Sequence, residues 1–376
     1  MELKTIYNFG RIFKIQLKMK KIYSKIISTG SYIPPKIVKN EDFLNNEFYI
    51  DYGKKLEKDN KEVIEKFYQI TGIKERRYAS DEQVNSDLAL IAAKNALESG
   101  NIDPESLDYI IVGHNFGDTK AGDRHPDFMP AIAARIKHKL GIKNPWCVAY
   151  DISFGCPGWL QAMIQADYYI KSGDAKRVLV IGSDTLSRYS DPHDRDGMIY
   201  ADGAGATILE GVESEEPTGV IKHLSRTDSL EEVNYLYSGQ SFNPDFEEDN
   251  MFIKMYGHKV YEYAIKHVPP FMKKIIDEAG ISIHDIKKVL IHQANEKMDL
   301  SIVLRVLRLY GLREIPENFV PMTIGWLGNS SVATIPTLLD LIYKGKLEGH
   351  KFNEGDYAIF ASVGAGMNIN SIIYKF

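Results

Sequence analysis

Cysteines, long apolar runs and an excess of positive charge are all scarce in this sequence. Its two cysteines, Cys147 and Cys156, are too few for a disulfide framework and are typical of a reducing cytoplasm. No run of about 18 uncharged apolar residues is present, so the sequence predicts no transmembrane helix. With 46 basic and 51 acidic residues the net charge is −5, which argues against a dedicated nucleic-acid-binding protein. The sequence therefore predicts a cytoplasmic globular protein.

The remaining composition is that of an ordinary globular chain. Of the 376 residues, 44% are apolar and 26% are charged, which excludes wholesale disorder and a collagen-like chain. The basic segment at residues 1–20 lacks the apolar core and the small-residue cleavage site of a signal peptide. A basic amphipathic anchor is the alternative interpretation. We expect an N-terminal extension that precedes a first strand at residues 21–28.

Predicted strands and helices alternate in the first half of the chain. A helical spacing of apolar residues ends at Gly100, and strands are predicted at 109–112 and 147–152. Residues 159–171 are predicted to be helical. The apolar run at 177–182 is typical of a parallel strand that is covered on both faces. Strand, helix and strand at this spacing form a right-handed crossover unit, which indicates an α/β protein.

Two short patterns each occur twice, in the same order. An acidic residue, a small residue and Gly stand at 98–100 and at 278–280, each time between a predicted helix and an apolar strand. Gly-Ala-Gly stands at 203–205 and at 364–366, each time before a strand. Either pair alone could arise by chance, because helix, Gly and strand often follow one another in α/β proteins. Both pairs in register predict a duplicated chain.

Common cofactor and metal signatures are absent from the sequence. There is no phosphate-binding loop, no zinc-binding His-Glu-x-x-His, and neither Gly-Ala-Gly tripeptide continues into a dinucleotide fingerprint. Asp191, His193, Asp194 and Asp196 crowd into one predicted loop. Acidic residues packed this closely are more often turn and capping groups than metal ligands. We therefore expect no metal site and no bound cofactor.

Cys156 lies between a predicted strand and the start of a predicted helix. A helix N-terminus favours a thiolate by about 0.3–1 kcal/mol, so we expect the pKa of Cys156 to be lowered. The flanking Gly155 and Gly158 would let a substrate approach and leave backbone amides free for an oxyanion. The alternative is an inert buried cysteine, which is the better interpretation of Cys147. Taken alone, Cys156 leaves both interpretations open.

His292 and Asn329 are the polar residues in the second half that fit chemistry with Cys156. His292 follows a predicted strand, where active sites of α/β proteins collect, and Asn329 begins a predicted helix. Alone, the first is more often structural and the second is normally a cap. A Cys-His hydrolase is one alternative, although Phe154 stands where a nucleophile elbow needs Gly. A binding role without catalysis is another, and the presence of all three residues argues against it.

Six segments together resemble the 3-oxoacyl-acyl-carrier-protein synthase III family of the thiolase superfamily, from about Ile22 to Phe376. They are Thr71-Gly72-Ile73-Lys74-Glu75-Arg76, Cys156-x-Gly, Asp202-Gly203-Ala204-Gly205-Ala206, His292-Gln293-Ala294-Asn295, Gly328-Asn329-Ser330-Ser331 and the tail at Gly364. The resemblance implies a duplicated five-layer αβαβα sandwich. This agrees with the repeated patterns, and we place the two halves at residues 21–218 and 219–376.

The resemblance also implies a reaction and its catalytic residues. Cys156 corresponds to the acyl-accepting nucleophile, and His292 and Asn329 to the pair that acts on malonyl thioester. The backbone amides of Cys156 and of Gly364, Ala365 and Gly366 correspond to the oxyanion site. The implied reaction is decarboxylative condensation of an acyl primer with malonyl-acyl-carrier-protein, without metal or redox cofactor. Some relatives instead join two β-ketoacyl chains into alkylresorcinol-type products.

Five further residues correspond to substrate- or carrier-binding positions. Arg188 and Lys297 are expected to dock an acidic acyl carrier protein, and Asn295 is expected beside them at the substrate entrance. Trp159 is expected to shape the acyl channel, with helix packing as the alternative. Met129, before Pro130, corresponds to a residue that reaches into the partner's acyl pocket in a homodimer.

The sequence departs from the family pattern in four places. Pro157 follows the nucleophile where a small residue is usual, and Ala365 replaces the middle glycine of the tail motif. Residues 40–70 form a longer, lysine-rich segment, which we predict to be helical. The tryptophan that stacks on coenzyme A before Thr-Gly-Ile is absent, with Lys66 nearby. Because a stacking contact contributes about 0.5–2 kcal/mol, we expect carrier-bound thioesters to be preferred over coenzyme A forms.

Overall fold

The structure is a computed structural model that describes residues 6–8, 11–13, 20–123, 125–246 and 251–376. Most of the expected N-terminal extension lies outside the described residues. The strands are β1 Ile6–Asn8, β2 Arg11–Phe13, β3 Lys21–Tyr32, β4 Lys36–Lys39, β5 Tyr49–Asp51, β6 Lys54–Lys55, β7 Glu75–Tyr78, β8 Tyr109–His114, β9 Val148–Ser153, β10 Arg177–Thr185, β11 Asp202–Ser214, β12 Gly219–Thr227, β13 Leu236–Gly239, β14 Phe252–Met255, β15 Ile286–Ile291, β16 Tyr357–Gly364 and β17 Asn368–Lys375.

The helices surround and separate the two large sheets that these strands form. They are α1 Asn60–Thr71, α2 Asn85–Gly100, α3 Ile132–Lys139, α4 Gly158–Ser172, α5 Gly257–Ala279, α6 Glu296–Arg308, α7 Ile324–Leu327 and α8 Thr334–Tyr343. None of the described helices is long and apolar enough to cross a bilayer.

The first large sheet has the strand order β3-β11-β10-β8-β9. Its central strand β10 is buried from Val178 to Thr185 and pairs in parallel with β8, as its apolar run predicts. On the other side β10 pairs antiparallel with β11, which in turn pairs antiparallel with β3. The sheet is therefore mixed, with the predicted crossover unit β9, α4 and β10 at its parallel end, where β8 lies between the two strands.

The second large sheet repeats this arrangement. Its order is β12-β17-β16-β15, with two antiparallel pairs followed by one parallel pair. At the free edge of β15 the Val289 amide donates to the Phe319 carbonyl at 2.9 Å, on the side where β9 lies in the first sheet. The chain passes from one sheet to the other between β11 and β12. The same sequence of strand directions in both sheets is what the repeated tripeptides predict.

Three apolar cores divide the molecule into five layers. One core packs α4 and α8 between the two sheets, through residues such as Met163, Leu338 and Phe360. A second packs α2 and α3 on the outer face of the first sheet. A third packs α5 and α6 on the outer face of the second. The order helix, sheet, helix, sheet, helix confirms the predicted thiolase-like αβαβα sandwich.

The segment 40–70 differs from its predicted helical structure. Only α1 is a regular helix, while β5 and β6 form a small antiparallel hairpin ahead of it. Gly53 turns this hairpin with φ +68°, a conformation that favours glycine. Local polarity suggested helix here, but the hairpin is held from outside the segment: the Tyr49 amide donates to the His193 carbonyl at 2.8 Å.

Strand β10 approaches the segment 329–333 of the second half at Gly182. A Cβ atom at this glycine would collide with the carbonyl of Val332. The neighbouring strand offers a contrast, because a Cβ at Gly203 would lie 3.6 Å from the nearest atom, the Ser330 Cβ. The missing side chain at position 182 is thus what lets the second half come close to the first.

Gly182→Ala is expected to push the segment 329–333 away from β10. Overpacking of a buried backbone contact costs about 1–3 kcal/mol, and the free energy of unfolding in urea should fall by that amount. Gly203→Ala is the matched control and should leave that free energy nearly unchanged. Equal stability of the two variants would contradict the role assigned to Gly182.

Candidate active site

Cys156 stands in a tight turn just before α4. Gly155 has φ +67°, and a Cβ there would lie 2.9 Å from the Ala365 amide nitrogen. From the other side, a Cβ at Gly364 would lie 2.7 Å from the Cys156 amide nitrogen. Both glycines are needed because two stretches of backbone touch here. The predicted oxyanion groups, the Cys156 amide and the turn 364–366, are therefore direct neighbours.

His292 follows β15 and is almost completely buried. Its backbone amide donates to the Ala361 carbonyl at 2.8 Å, which fixes the loop to β16. Burial lowers the pKa of His292 to about 4, against the opposing effect of a backbone hydrogen bond at Ser331. Nδ1 has no hydrogen-bond partner within the described part of the chain. At neutral pH the imidazole is thus uncharged.

Two backbone hydrogen bonds hold Asn329 in place. Its amide donates to the Ile199 carbonyl and its carbonyl accepts from the Ala201 amide, each at 2.9 Å. Its Oδ1 accepts from the Ser331 amide at 2.9 Å. With Oδ1 occupied in this way, the side-chain nitrogen is the end left to donate.

Ser331 lies among the three candidate catalytic side chains. Its amide donates to the Asn329 Oδ1 at 2.9 Å, and the residue opposes the effect of burial on the pKa of Cys156 and on that of His292. Its φ of +52° is unusual for a residue with a side chain. The sequence analysis did not single out Ser331; the only available signal was its place in the Gly-Asn-Ser-Ser motif.

The protonation of Cys156 differs from the sequence-based expectation. Burial raises the pKa of Cys156 to about 11; the hydrogen bond from Ser331 opposes this rise and the charge of Asp184 adds to it. The helix N-terminus alone would lower the pKa. Burial outweighs it because the second half of the chain covers the sulfur.

A cavity of about 870 Å³ lies between α1, α5 and α6, and Cys156, His292 and Asn329 are not among its lining residues. Ile199 and Asn295 line it, and the Ile199 carbonyl accepts from the Asn329 amide. Much of the wall is apolar, including Leu56, Val63, Phe67, Ile70, Met255 and Met298.

One wall of the cavity depends on a buried lysine. Lys254, on β14, is 1% exposed and bonds Asp191 and Asp194 in the loop that continues to the cavity-lining Arg195, Asp196 and Ile199. Asp191 also accepts from the Phe242 amide at 2.8 Å, and Asp194 accepts from the Asp196 amide at 2.9 Å. In the structure these aspartates act as the turn and capping groups that the sequence suggested, joined to a cation the sequence did not pair with them.

The predicted binding residues fall into different surroundings. Asn295 caps α6 by accepting from the Met298 amide at 3.0 Å, and Lys297, the second residue of the same helix, is exposed. Trp159 is buried between the sheets beside Phe360 and is no part of the cavity wall. Arg188 has a largely buried side chain that donates to the Ser80 carbonyl at 2.8 Å. Met129 is 86% exposed.

The five-layer duplicated fold, with Cys156, His292 and Asn329 gathered between its halves, defines an acyltransferase of the thiolase fold. Models of 3-oxoacyl-acyl-carrier-protein synthase III and of its C-terminal region match residues 150–229 and 276–376. The chain belongs to this family, as its motifs predicted.

Individual relatives match almost the whole chain. The β-ketoacyl-acyl-carrier-protein synthase III of Koribacter versatilis is 31% identical over 359 residues, covering 94% of this chain and 97% of that protein. The synthase of Xanthomonas euvesicatoria is 31% identical over 362 residues, covering 95% and 99%. The crystal structure of the Aquifex aeolicus synthase III has a TM-score of 0.76 at 28% identity, covering 94% of this chain and 100% of that one.

Proposed function

We propose that the protein condenses an acyl thioester primer with malonyl-acyl-carrier-protein to a 3-oxoacyl thioester, through an acyl group on Cys156. The cytoplasm is the proposed location, and fatty acid or related lipid synthesis the proposed pathway class. The observation that carries the proposal is the backbone contact that sets the Cys156 amide beside the turn 364–366, together with the hydrogen bond from the Ser331 amide to the Asn329 Oδ1 at 2.9 Å. No metal or redox cofactor enters the proposed steps.

The first proposed step is acyl transfer to Cys156. The sulfur attacks the primer carbonyl, and the thiol of the carrier or of coenzyme A leaves with the proton that Cys156 loses. The negative oxygen of the tetrahedral intermediate is stabilised by the amides of Cys156 and of the turn 364–366. These amides are already neighbours in the folded chain, so little rearrangement is needed at the moment of reaction.

The second proposed step is decarboxylation of the malonyl thioester. Loss of carbon dioxide leaves an enolate, whose oxygen accepts hydrogen bonds from neutral His292 and from the Asn329 side-chain nitrogen. Each such donor is worth about 10²–10³ in rate. The enolate carbon then attacks the acyl-Cys156 carbonyl, and the sulfur leaves as the 3-oxoacyl product forms. The low pKa of His292, about 4, keeps this donor pair uncharged above pH 5.

A second candidate is a ketosynthase that joins β-ketoacyl chains. The apolar wall of the cavity favours it, since Phe67, Met255 and Met298 could cover an alkyl chain on the extender. Mass spectrometry with a panel of acyl-carrier and acyl-coenzyme A primers separates the candidates. An acyl group on Cys156 together with a 3-oxoacyl product supports the first proposal. A longer product that contains both joined acyl chains supports the second. Free acid as the only product would indicate a hydrolase and contradict both.

Substitutions of the proposed catalytic residues should affect acyl transfer and decarboxylation separately. Cys156→Ala is expected to abolish acyl transfer while malonyl decarboxylation continues, because the donor pair remains. His292→Ala and Asn329→Ala should still form the acyl enzyme but lose about 100-fold or more in decarboxylation rate. Intact-mass detection of the acyl adduct and release of labelled carbon dioxide measure the steps separately. Decarboxylation at the parent rate in His292→Ala would refute its proposed role.

Lys297 is proposed as a contact for the acidic acyl carrier protein. It is exposed on α6, whose first turn contributes Met298 to the cavity wall. The largely buried Arg188 is a weaker candidate for such a contact, because its guanidinium already donates to backbone. Lys66 lines the cavity in place of a stacking tryptophan, which supports preference for carrier-bound over coenzyme A thioesters.

Lys297→Glu should raise the apparent KM for carrier-bound substrate and leave small thioester analogues unaffected, because only the carrier brings acidic charge to the surface. Lys94→Glu, on the exposed side of α2 in the other half, is the matched control. Steady-state kinetics at low ionic strength make the comparison. An equal rise in the apparent KM for both substrate types, or no rise for either, would show that Lys297 does not contact the carrier protein.

A homodimer is proposed at the free edge of β9. This edge strand is flanked by exposed apolar side chains: Trp146 is 83% exposed, and Val148 and Met129 are also exposed. An uncovered strand edge with such neighbours is a place where two chains pair. Met129 is the side chain proposed to enter the partner's acyl pocket.

Trp146→Asp is expected to convert the dimer to a monomer in light scattering, because it places a charge in the proposed apolar contact. Leu230→Asp changes an equally exposed apolar residue away from β9 and serves as the control. A fully active parent protein of monomer mass would overturn the proposed dimer.

A further inference from the structure

A buried tyrosine next to Asn329 has a hydroxyl without a partner. Tyr200 is 5% exposed, and its Oη forms no hydrogen bond within the part of the chain that the structure describes. A buried hydroxyl that is left unpaired destabilises a folded chain. Phenylalanine would pack in the same way without this cost, so packing alone does not account for a tyrosine at this position.

The backbone places the Tyr200 side chain beside that of Asn329. The two residues are partners in a parallel β-bridge, in which the Asn329 amide donates to the Ile199 carbonyl and the Ala201 amide donates to the Asn329 carbonyl. Residues that lie directly opposite each other in this way point their side chains to the same face. The adjacent positions occupy the other face, where a Cβ at Gly328 would lie 3.0 Å from the Ala201 Cβ.

The Tyr200 hydroxyl keeps its proton and can therefore donate it to a hydrogen bond. Burial raises the pKa of Tyr200 well above its ordinary value, and the charges of Asp194, Cys156 and Asp196 add to this rise. A buried donor that finds no acceptor in the described part of the chain fits an acceptor that arrives with the substrate.

The two aspartates near this hydroxyl each have a cation beside them. Lys254 Nζ lies 3.3 Å from Asp194 Oδ2, and Arg195 Nε lies 3.6 Å from Asp196 Oδ1. Because their negative charges are compensated, they do not prevent an anionic group of the substrate from binding at the hydroxyl.

We propose, on the basis of the proposed malonyl reaction, that the Tyr200 hydroxyl binds the carboxylate of the malonyl extender and so selects it over simple acyl thioesters. In that reaction the Asn329 side-chain nitrogen holds the thioester oxygen. A tyrosine side chain reaches further from the backbone than an asparagine side chain, so the hydroxyl lies beyond Asn329, where the other end of the malonyl unit would be. Tyr200 is about as buried as His292 and Asn329, so a substrate that reaches this pair also reaches Tyr200.

A neutral donor suits a carboxylate that must leave as carbon dioxide. A lysine or arginine in this place would bind the anion strongly and oppose its loss. The bond from a phenol is weaker, and it disappears when the carboxylate becomes neutral carbon dioxide. Tyr200 is therefore expected to contribute to binding of the extender more than to the rate of decarboxylation.

Tyr200→Phe removes the hydroxyl and keeps the ring. Binding is measured by isothermal titration calorimetry with two stable probes, the amide analogue of malonyl-pantetheine and that of acetyl-pantetheine, which lacks the carboxylate. The parent protein should bind the malonyl amide more tightly. Tyr200→Phe should lose about 10- to 100-fold in affinity for the malonyl amide and none for the acetyl amide, because a hydrogen bond to a charged group is removed.

Steady-state kinetics provide a second measurement on the same variant. The apparent KM for malonyl-acyl-carrier-protein should rise by a similar factor, and kcat should not fall. A fall in kcat at unchanged KM would indicate a bond made only in the transition state, as expected for Asn329, and would contradict recognition of the carboxylate.

Tyr374→Phe is the matched control. The Tyr374 hydroxyl is also buried, but it accepts from the Ile26 amide at 2.8 Å in the core between the two sheets. Its removal should lower the Tm and leave the affinity for both probes unchanged. Tyr200→Phe should instead keep or raise the Tm, because it removes an unpaired polar group. A clear fall in the Tm of Tyr200→Phe would show that the hydroxyl has a structural partner and would overturn the inference.

Equal losses for the two probes, no loss for either, or a parent protein that binds both probes alike would also overturn it. The binding measurement does not depend on condensation. A selective loss in a protein that makes no 3-oxoacyl product would refute the proposed reaction and leave the carboxylate contact standing. Normal condensation with unchanged malonyl binding in Tyr200→Phe would refute the contact alone.

Discussion

The site depends on one close contact between the two halves of the chain. The segment 329–333 of the second half lies against β10 of the first, and this is possible only because Gly182 has no side chain. That contact places Ser331 and Asn329 against the first half, where the Ser331 hydroxyl accepts from the Asn115 side-chain nitrogen at 2.9 Å. Duplication supplies two similar sheets, but the function proposed here arises where their inner helical layers meet.

Burial at that contact decides the protonation of the site. It lowers the pKa of His292 and raises that of Cys156, so both groups are uncharged at neutral pH. Removing charged forms from water is costly in a packed interior. An uncharged imidazole beside an amide offers two neutral hydrogen-bond donors, as the proposed stabilisation of an enolate oxygen requires.

The sequence predicted features that depend on neighbouring residues and missed features that depend on residues far apart in the chain. The apolar run of β10 and the helix α4 are patterns within short windows, and both agree with the structure. Of the two Gly-Ala-Gly tripeptides, the second lies in the turn before β17 as predicted, whereas the first lies inside β11 and not before it. The direction of the Cys156 pKa was wrong, because a helix terminus is visible in sequence and coverage by another half is not. Ser331 and Lys254 were missed for the same reason: Lys254 meets Asp191 across 63 positions.

The buried Lys254 ties the cavity wall to the candidate site. Strand β14 and the loop that bears Arg195 and Asp196 are joined by one cation and two carboxylates. The same loop ends at Ile199, whose carbonyl accepts from the Asn329 amide at 2.9 Å. A change in the hairpin β13–β14 is therefore transmitted along this loop to Asn329 as well as to the cavity wall.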